Sequence, residues 1–187
     1  FASQAICYAF RKVATNINEA HVDESVIKAV ISKLFVLMEL LGLIDMNLLA
    51  TCILFHYNKS DKTLRIRMFG DGVYYVNGKE YIVEQNNTPD YIGYHVQEGW
   101  KDIQKYLDKY PEIVYDDVDN FMICSDGIKS IFLPQFVKTP DPKKSPEILL
   151  FSPPVSSNYL TRMWNILNKE GYQLNDDLSI ISYATDS

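Results

Sequence analysis

The chain has 187 residues, a length that suits one domain of ordinary size and crowds two. Hydrophobic residues make up 47% and charged residues 22%, the balance of a chain that folds around an apolar core, which excludes disordered and fibrous classes. The formal charge of −6 repels nucleic acid phosphates and anionic lipid, so no nucleic-acid partner and no membrane partner is expected.

The elements follow in chain order from hydrophobic spacing. Over residues 2–13, Ala2, Ala5, Ile6, Ala9, Phe10 and Val13 recur at helical intervals, and over 23–41 Val26, Val30, Leu34, Leu37 and Leu41 do the same. Asp23 stands at the N-cap of the second helix and Gly42 at its C′ position. The apolar stretch 34–44 is interrupted by Glu39 and is too short for the roughly 20 residues of a membrane-spanning helix. Residues 48–57 form a nearly continuous apolar run, and 63–69 alternate Leu64, Ile66 and Met68 with Arg65 and Arg67, so both read as strands. After Gly70-Asp71-Gly72 the pattern resumes at 73–76, turns at Asn77-Gly78, a strong hairpin signal, and returns at 81–84. An antiparallel meander is therefore expected in the middle of the chain.

Residues 86–99 read as loop and 100–110 as a short helix. A buried strand over 121–124 stops at Ser125-Asp126-Gly127, and a helix is predicted over 128–136. Residues 138–157 carry Pro140, Pro142, Pro146, Pro153 and Pro154, so this segment is expected to be a surface excursion or flap. A helix over 158–169 ends at Gly171, and a strand over 178–183 follows. Helices, then strands, then helices and a strand make an α+β pattern with antiparallel sheet, which disfavours a dinucleotide-binding fold.

Three aspartates stand where an apolar strand meets a glycine or polar turn: Asp71 in Phe69-Gly70-Asp71-Gly72, Asp126 in Cys124-Ser125-Asp126-Gly127, and Asp176 in Asn175-Asp176-Asp177-Leu178. Singly, such residues are most often turn or cap residues. Together they define carboxylates able to converge at one end of a sheet, where only cations would neutralise them. Oxygen-only ligands favour magnesium or manganese over zinc.

In this order and spacing, Leu49-Ala50-Thr51-Cys52, Gly70-Asp71-Gly72, Ser125-Asp126-Gly127 and Asp176-Asp177-Leu178-Ser179 resemble the later motifs of the protein phosphatase 2C superfamily of metal-dependent Ser/Thr phosphatases. The resemblance spans about residues 1–184. It implies one domain over 1–187 with an α-β-β-α four-layer sandwich, two mainly antiparallel sheets flanked by helices, and a cytoplasmic, bacterial-type enzyme. It implies Asp126 and Asp176 as metal ligands, Asp71 as a ligand of a weaker third ion, and two or three Mg2+ or Mn2+ ions as cofactors. The implied activity is hydrolysis of phosphoserine and phosphothreonine monoesters on a phosphoprotein substrate, by a metal-bridged hydroxide.

The family's first Asp-Gly motif and its phosphate-gripping basic residue have no match, and are expected before Phe1. Gly72 and Val73 replace the usual Ser and Arg, and Asp177 and Ser179 the usual Asn and Thr, which marks a divergent branch. The alternative is a catalytically inactive regulatory or protein-interaction module that uses residues 138–157 as its interface.

Other chemistry-bearing residues are read as structural. Cys7, Cys52 and Cys124 each lie in apolar runs and are expected to be reduced core residues of an intracellular protein. His21, His56 and His95 lack partner motifs, and Arg65 and Arg67 are expected on a solvated sheet face.

Overall fold

The computed structural model describes residues 2–14, 24–85, 89–97, 103–134, 141–151 and 158–185. In chain order these form α1 (Ala2–Ala14), α2 (Glu24–Leu41), β1 (Cys52–Asn58), β2 (Thr63–Phe69), β3 (Gly72–Val76), β4 (Lys79–Val83), α3 (Ile103–Lys109) and β5 (Ile113–Tyr115). They continue with β6 (Asn120–Ser125), β7 (Ile131–Phe132), α4 (Pro146–Phe151), α5 (Tyr159–Glu170), β8 (Gln173–Leu174) and β9 (Ile180–Ala184). The chain divides into two compact units, Phe1–Asp71 with Glu84–Asp116, and Gly72–Val83 with Asp117–Ser187. Among the described residues no helix is long and apolar enough to cross a membrane.

In the first unit, the helical spacing of α1 buries Ala5, Ile6, Ala9 and Val13, and that of α2 buries Val26, Ile27, Val30, Ile31, Leu34 and Met38. Gly42, at φ +62, ends α2 in the left-handed region, and the Leu43 N–H closes the last turn onto the Met38 carbonyl at 2.9 Å. The predicted cap Asp23 lies outside the described residues. These helices share an apolar core with Leu48, Cys52, Phe69, Ile92 and Tyr106. Phe69 is fully buried, stacked on Tyr106 at 5.1 Å and edge-on to Tyr110 at 5.9 Å. The sheet has the order β1-β2-β5, all antiparallel, with Cys52 opposite Phe69 and Ile66 opposite Ile113.

The second unit is built on an antiparallel sheet in the order β4-β3-β6-β9. Asn77 at φ 49 and Gly78 at φ 78 make the tight β3–β4 hairpin, which requires left-handed backbone at both central positions. The Asn77 side chain then accepts from the Asp119 N–H and donates to the Asp117 carbonyl, both at 2.9 Å, anchoring the turn beside the start of β6. One face of the sheet packs Val73, Met122 and Cys124 against Ile128, Leu150, Tyr159, Met163 and Leu167.

Several expectations change. The central strands are not one meander: β1 and β2 pair in one sheet and β3 and β4 in another, the chain changing sheets at Gly70-Asp71. No helix covers 128–134; a 3-10 turn over Asp126–Ser130 leads into β7, which pairs with β8, and 135–136 lie outside the described residues. Leu48 ends a 3-10 turn and does not open a strand. Cys7 is exposed, because it falls on the outer side of α1, whereas Cys52 and Cys124 are buried. Arg65 and Arg67 are engaged rather than solvated: Arg65 pairs with Glu112 at 3.1 Å, and Arg67 donates to the Leu107 and Tyr110 carbonyls at 3.2 and 2.8 Å. Within the Pro-rich segment, the described part holds a 3-10 turn over Pro142–Lys144 and α4, whose Leu150 is buried.

Candidate functional site

The second unit brings two of the acidic motifs into direct contact. β6 carries the chain through Met122, Ile123 and Cys124, all buried, and releases it at Ser125 into the 3-10 turn that begins with Asp126. β9 pairs alongside, with Cys124 opposite Ile180, so the residues just before β9 lie next to those just after β6. The Ser125 N–H donates to the Ser179 carbonyl and the Ser179 N–H to Ser125 Oγ, both at 3.0 Å; the same hydroxyl donates to the Asp177 carbonyl at 3.2 Å.

Gly127 completes the junction. A Cβ at this position would stand 2.1 Å from the Asp177 carbonyl oxygen, so the close passage of the two loops admits only glycine. Asp126 is half-buried and Asp176 exposed, and the Asp176 carboxylate accepts the Asp177 N–H at 2.7 Å, which restrains its rotamer. The two predicted ligands are thereby held on adjoining loops, one at the end of a central strand.

Asp71 belongs to the first unit. It directly precedes Gly72, whose ladder partner is Ser125. Gly70, at φ +92, forms the turn before it, and its Cα is packed so closely that a Cβ would lie 3.1 Å from Thr51 Oγ1 and 3.2 Å from Tyr91 Cδ1. Thr51 of the Leu49-Ala50-Thr51-Cys52 motif is thus the packing partner of the Gly70-Asp71 turn. One oxygen of Asp71 accepts the Gln85 N–H at 2.7 Å.

The donors offered by these aspartates are carboxylate oxygens, which fit a hard divalent cation. Among the described residues, no group of three His, Cys, Asp or Glu side chains stands ready to hold a metal by itself. Neither buried thiol offers competing chemistry: burial pushes Cys52 and Cys124 up to about 12, and the Cys124 thiol lies 3.1 Å from the Val73 carbonyl.

No protein-family model and no curated protein matches the sequence. Among solved structures, the catalytic domain of the serine threonine protein phosphatase PstP, in complex with two manganese ions, aligns at TM-score 0.50. That alignment has 15% identity and covers 99% of this chain and 81% of that one. The chain has a protein phosphatase 2C-type fold. The phosphatase domain of the cell fate determinant SpoIIE from Bacillus subtilis aligns with 98% of this chain and 74% of its own at 11% identity and TM-score 0.39.

Within this 2C-type fold, sequence reasoning missed a polar cluster in the first unit. The Asp90 carboxylate accepts from His95 Nε2 at 2.6 Å, Lys109 Nζ at 2.7 Å and Tyr110 OH at 2.9 Å. His95 therefore has a partner, while His56 lies on β1 opposite Arg65 and His21 falls outside the described residues. Burial acts to raise the Asp90 pKa, but the bonds from Lys109, His95 and Tyr110 outweigh it and hold the carboxyl below its ordinary range. Asp90 and His95 stand five residues apart, with a 3-10 turn over Ile92–His95 between them, a spacing that in sequence implies no contact.

Proposed function

We propose that the protein is a metal-dependent hydrolase of phosphoserine and phosphothreonine monoesters on proteins, with Asp126 and Asp176 holding a magnesium or manganese ion and Asp71 a further, weaker one. The observation that carries this reading is the interlocked junction of Ser125-Asp126-Gly127 with Asp176-Asp177-Leu178-Ser179. A hydroxyl of one loop bonded twice to the other, and a glycine pressed on a carbonyl, hold two carboxylate-bearing loops together, and oxygen donors so placed suit a divalent cation. Bound divalent cations supply Lewis acidity and an activated water for in-line displacement at phosphorus.

The chain's own residues do the orienting. Asp126 projects from the end of a strand buried along its length, a rigid mount for a ligand. Asp176 is restrained by the next residue's amide, and Asp71 by the Gln85 amide. The manganese ions named for PstP support the choice of cation.

The test is calorimetric titration of the full-length protein and its Asp126→Asn variant with Mn2+, paired with hydrolysis of an aryl phosphate and of a phosphothreonine peptide. The parent is expected to bind Mn2+ and hydrolyse both substrates. In the variant, binding and turnover should both vanish while the urea midpoint stays within the equivalent of about 0.5 kcal/mol. A parent that binds no Mn2+ would overturn this reading and favour a regulatory module on the same fold.

A further inference from the structure

The polar cluster around Asp90 connects to the Asp71 turn through one residue. The Asp90 N–H donates to Gln85 Oε1 at 2.5 Å, and the Gln85 side-chain amide lies 3.5 Å from the Gly70 carbonyl, to which it donates. The Gln85 main-chain N–H is the group that holds Asp71 Oδ1 at 2.7 Å. On the far side, the Asp90 carbonyl accepts from Tyr106 OH at 3.1 Å, and the Tyr106 ring stacks on Phe69, the residue before Gly70. His95 lies against the same tyrosine ring at 4.0 Å. Tyr91, next in sequence to Asp90, packs on the position where Gly70 has no side chain.

All these groups belong to the first unit, and they enclose the Gly70-Asp71 turn by three routes: an amide bonded to the carboxylate, a side chain near the preceding carbonyl, and a ring against the glycine. We propose that Gln85 and Asp90 form a clamp that positions the Asp71 carboxylate for a divalent cation, Gln85 acting on the turn and Asp90 fixing Gln85. This rests on the assignment of Asp71 as a cation ligand. Neither Gln85 nor Asp90 need touch the ion; both act through Asp71.

Asp90, 20% exposed in its side chain, takes three side-chain donors, and each comes from an element beyond the turn it serves. An ionised carboxylate with three donors cannot rotate without breaking a charge-assisted bond, so its own amide is held at a fixed place for Gln85 Oε1. Groups that orient a metal ligand from behind typically alter metal affinity by about 10- to 100-fold when removed.

The test uses Gln85→Leu and Asp90→Asn, with Asp71→Asn as the reference for loss of the weaker ion. Two quantities are read on each: the Mn2+ isotherm, and hydrogen exchange of the residue-85 amide without metal. The expected result is an isotherm in which the Asp71-dependent event weakens at least tenfold in both clamp variants, with the tighter event kept. Exchange at residue 85 should also quicken at least tenfold, with protection in β6 unchanged. Parent-like Mn2+ affinity in Gln85→Leu, in a protein whose parent binds the ion, would overturn the clamp and leave the metallohydrolase reading intact. Absence of any Mn2+ binding by the parent would instead overturn that reading, and the positioning role with it. Should Asp90→Asn fail to fold, Gln85→Leu alone decides, since its side chain carries no buried charge.

Discussion

The two aspartate settings are built by opposite means. The junction that carries Asp126 and Asp176 is held chiefly by main chain: a ladder between β6 and β9 and a glycine with no room for a methyl group, with one serine hydroxyl bonded to two backbone groups. The turn that carries Asp71 is held from outside the strand ladder: the Gln85 N–H on the carboxylate, the Gln85 and Tyr91 side chains around the turn, and Asp90 with His95, Tyr106, Lys109 and Tyr110 behind them. A main-chain junction tolerates little substitution within a short motif, because its geometry depends on contacts of fixed length. A side-chain clamp distributes the same task over residues that are dispersable in sequence and individually replaceable. The first fails abruptly and the second by degrees.

The sharpest way to break that contrast is Gly127→Ala. A Cβ placed 2.1 Å from the Asp177 carbonyl carbon's oxygen forces the two loops apart, since the opposing atom is backbone and has no rotamer to change. Overpacking of this kind typically costs about 1–3 kcal/mol, and here it also separates the two proposed ligands. Urea denaturation should show that loss, and aryl phosphate hydrolysis should fall to background; a variant with parental midpoint and turnover would show the junction to be compliant. Ser125→Ala probes the same junction more gently. It removes the hydroxyl that bridges Asp177 and Ser179 but leaves the main-chain bond from Ser125 to the Ser179 carbonyl, so a loss of about 1 kcal/mol is expected in urea.

The same contrast explains what was readable from the sequence. α1, α2, β6, α5 and the Asn77-Gly78 hairpin were legible because their signals are local: helical spacing, an apolar run, or two residues that demand left-handed backbone. The Ser125-Asp126-Gly127 and Asp176-Asp177 motifs stood out as strings, although the reason Gly127 must be glycine lies in Asp177, a residue whose neighbour in the fold, Ser125, is 52 positions away. The change of sheet at Gly70-Asp71 was not legible, since the strand pattern that resumes after Gly70-Asp71-Gly72 does not name its partner strand. β5, β7 and β8 were missed because strands of two or three residues exist only through pairing. The helix expected after Asp126 gave way to a 3-10 turn and β7, an outcome decided by pairing with Gln173 and Leu174. The Asp90 clamp left no string at all, its members running from Gln85 to Tyr110.

The smallest effect, and the one that isolates the clamp, is its response to acid. The Asp90 carboxyl lies below its ordinary value in the folded protein, so its ionised form is favoured by folding. A depressed pKa contributes stability that is present above the unfolded value of about 3.9 and disappears as pH falls through the folded value. The groups facing it are His95, Lys109, Tyr110 and Tyr106. The Lys109 pKa is raised, chiefly by its bond to Asp90, and so the ammonium stays charged throughout this range. Urea midpoints of the parent and Asp90→Asn should therefore differ most above the unfolded value and converge as pH falls below it and the parent's carboxyl takes up its proton. Groups away from the substitution are common to both proteins and cancel in the difference. A gap between the two that stayed constant down to pH 2 would mean that the cluster is held by packing of His95, Tyr106 and Tyr110 rather than by the charge on Asp90, and the side-chain clamp would then resemble the junction more closely than its bonds imply.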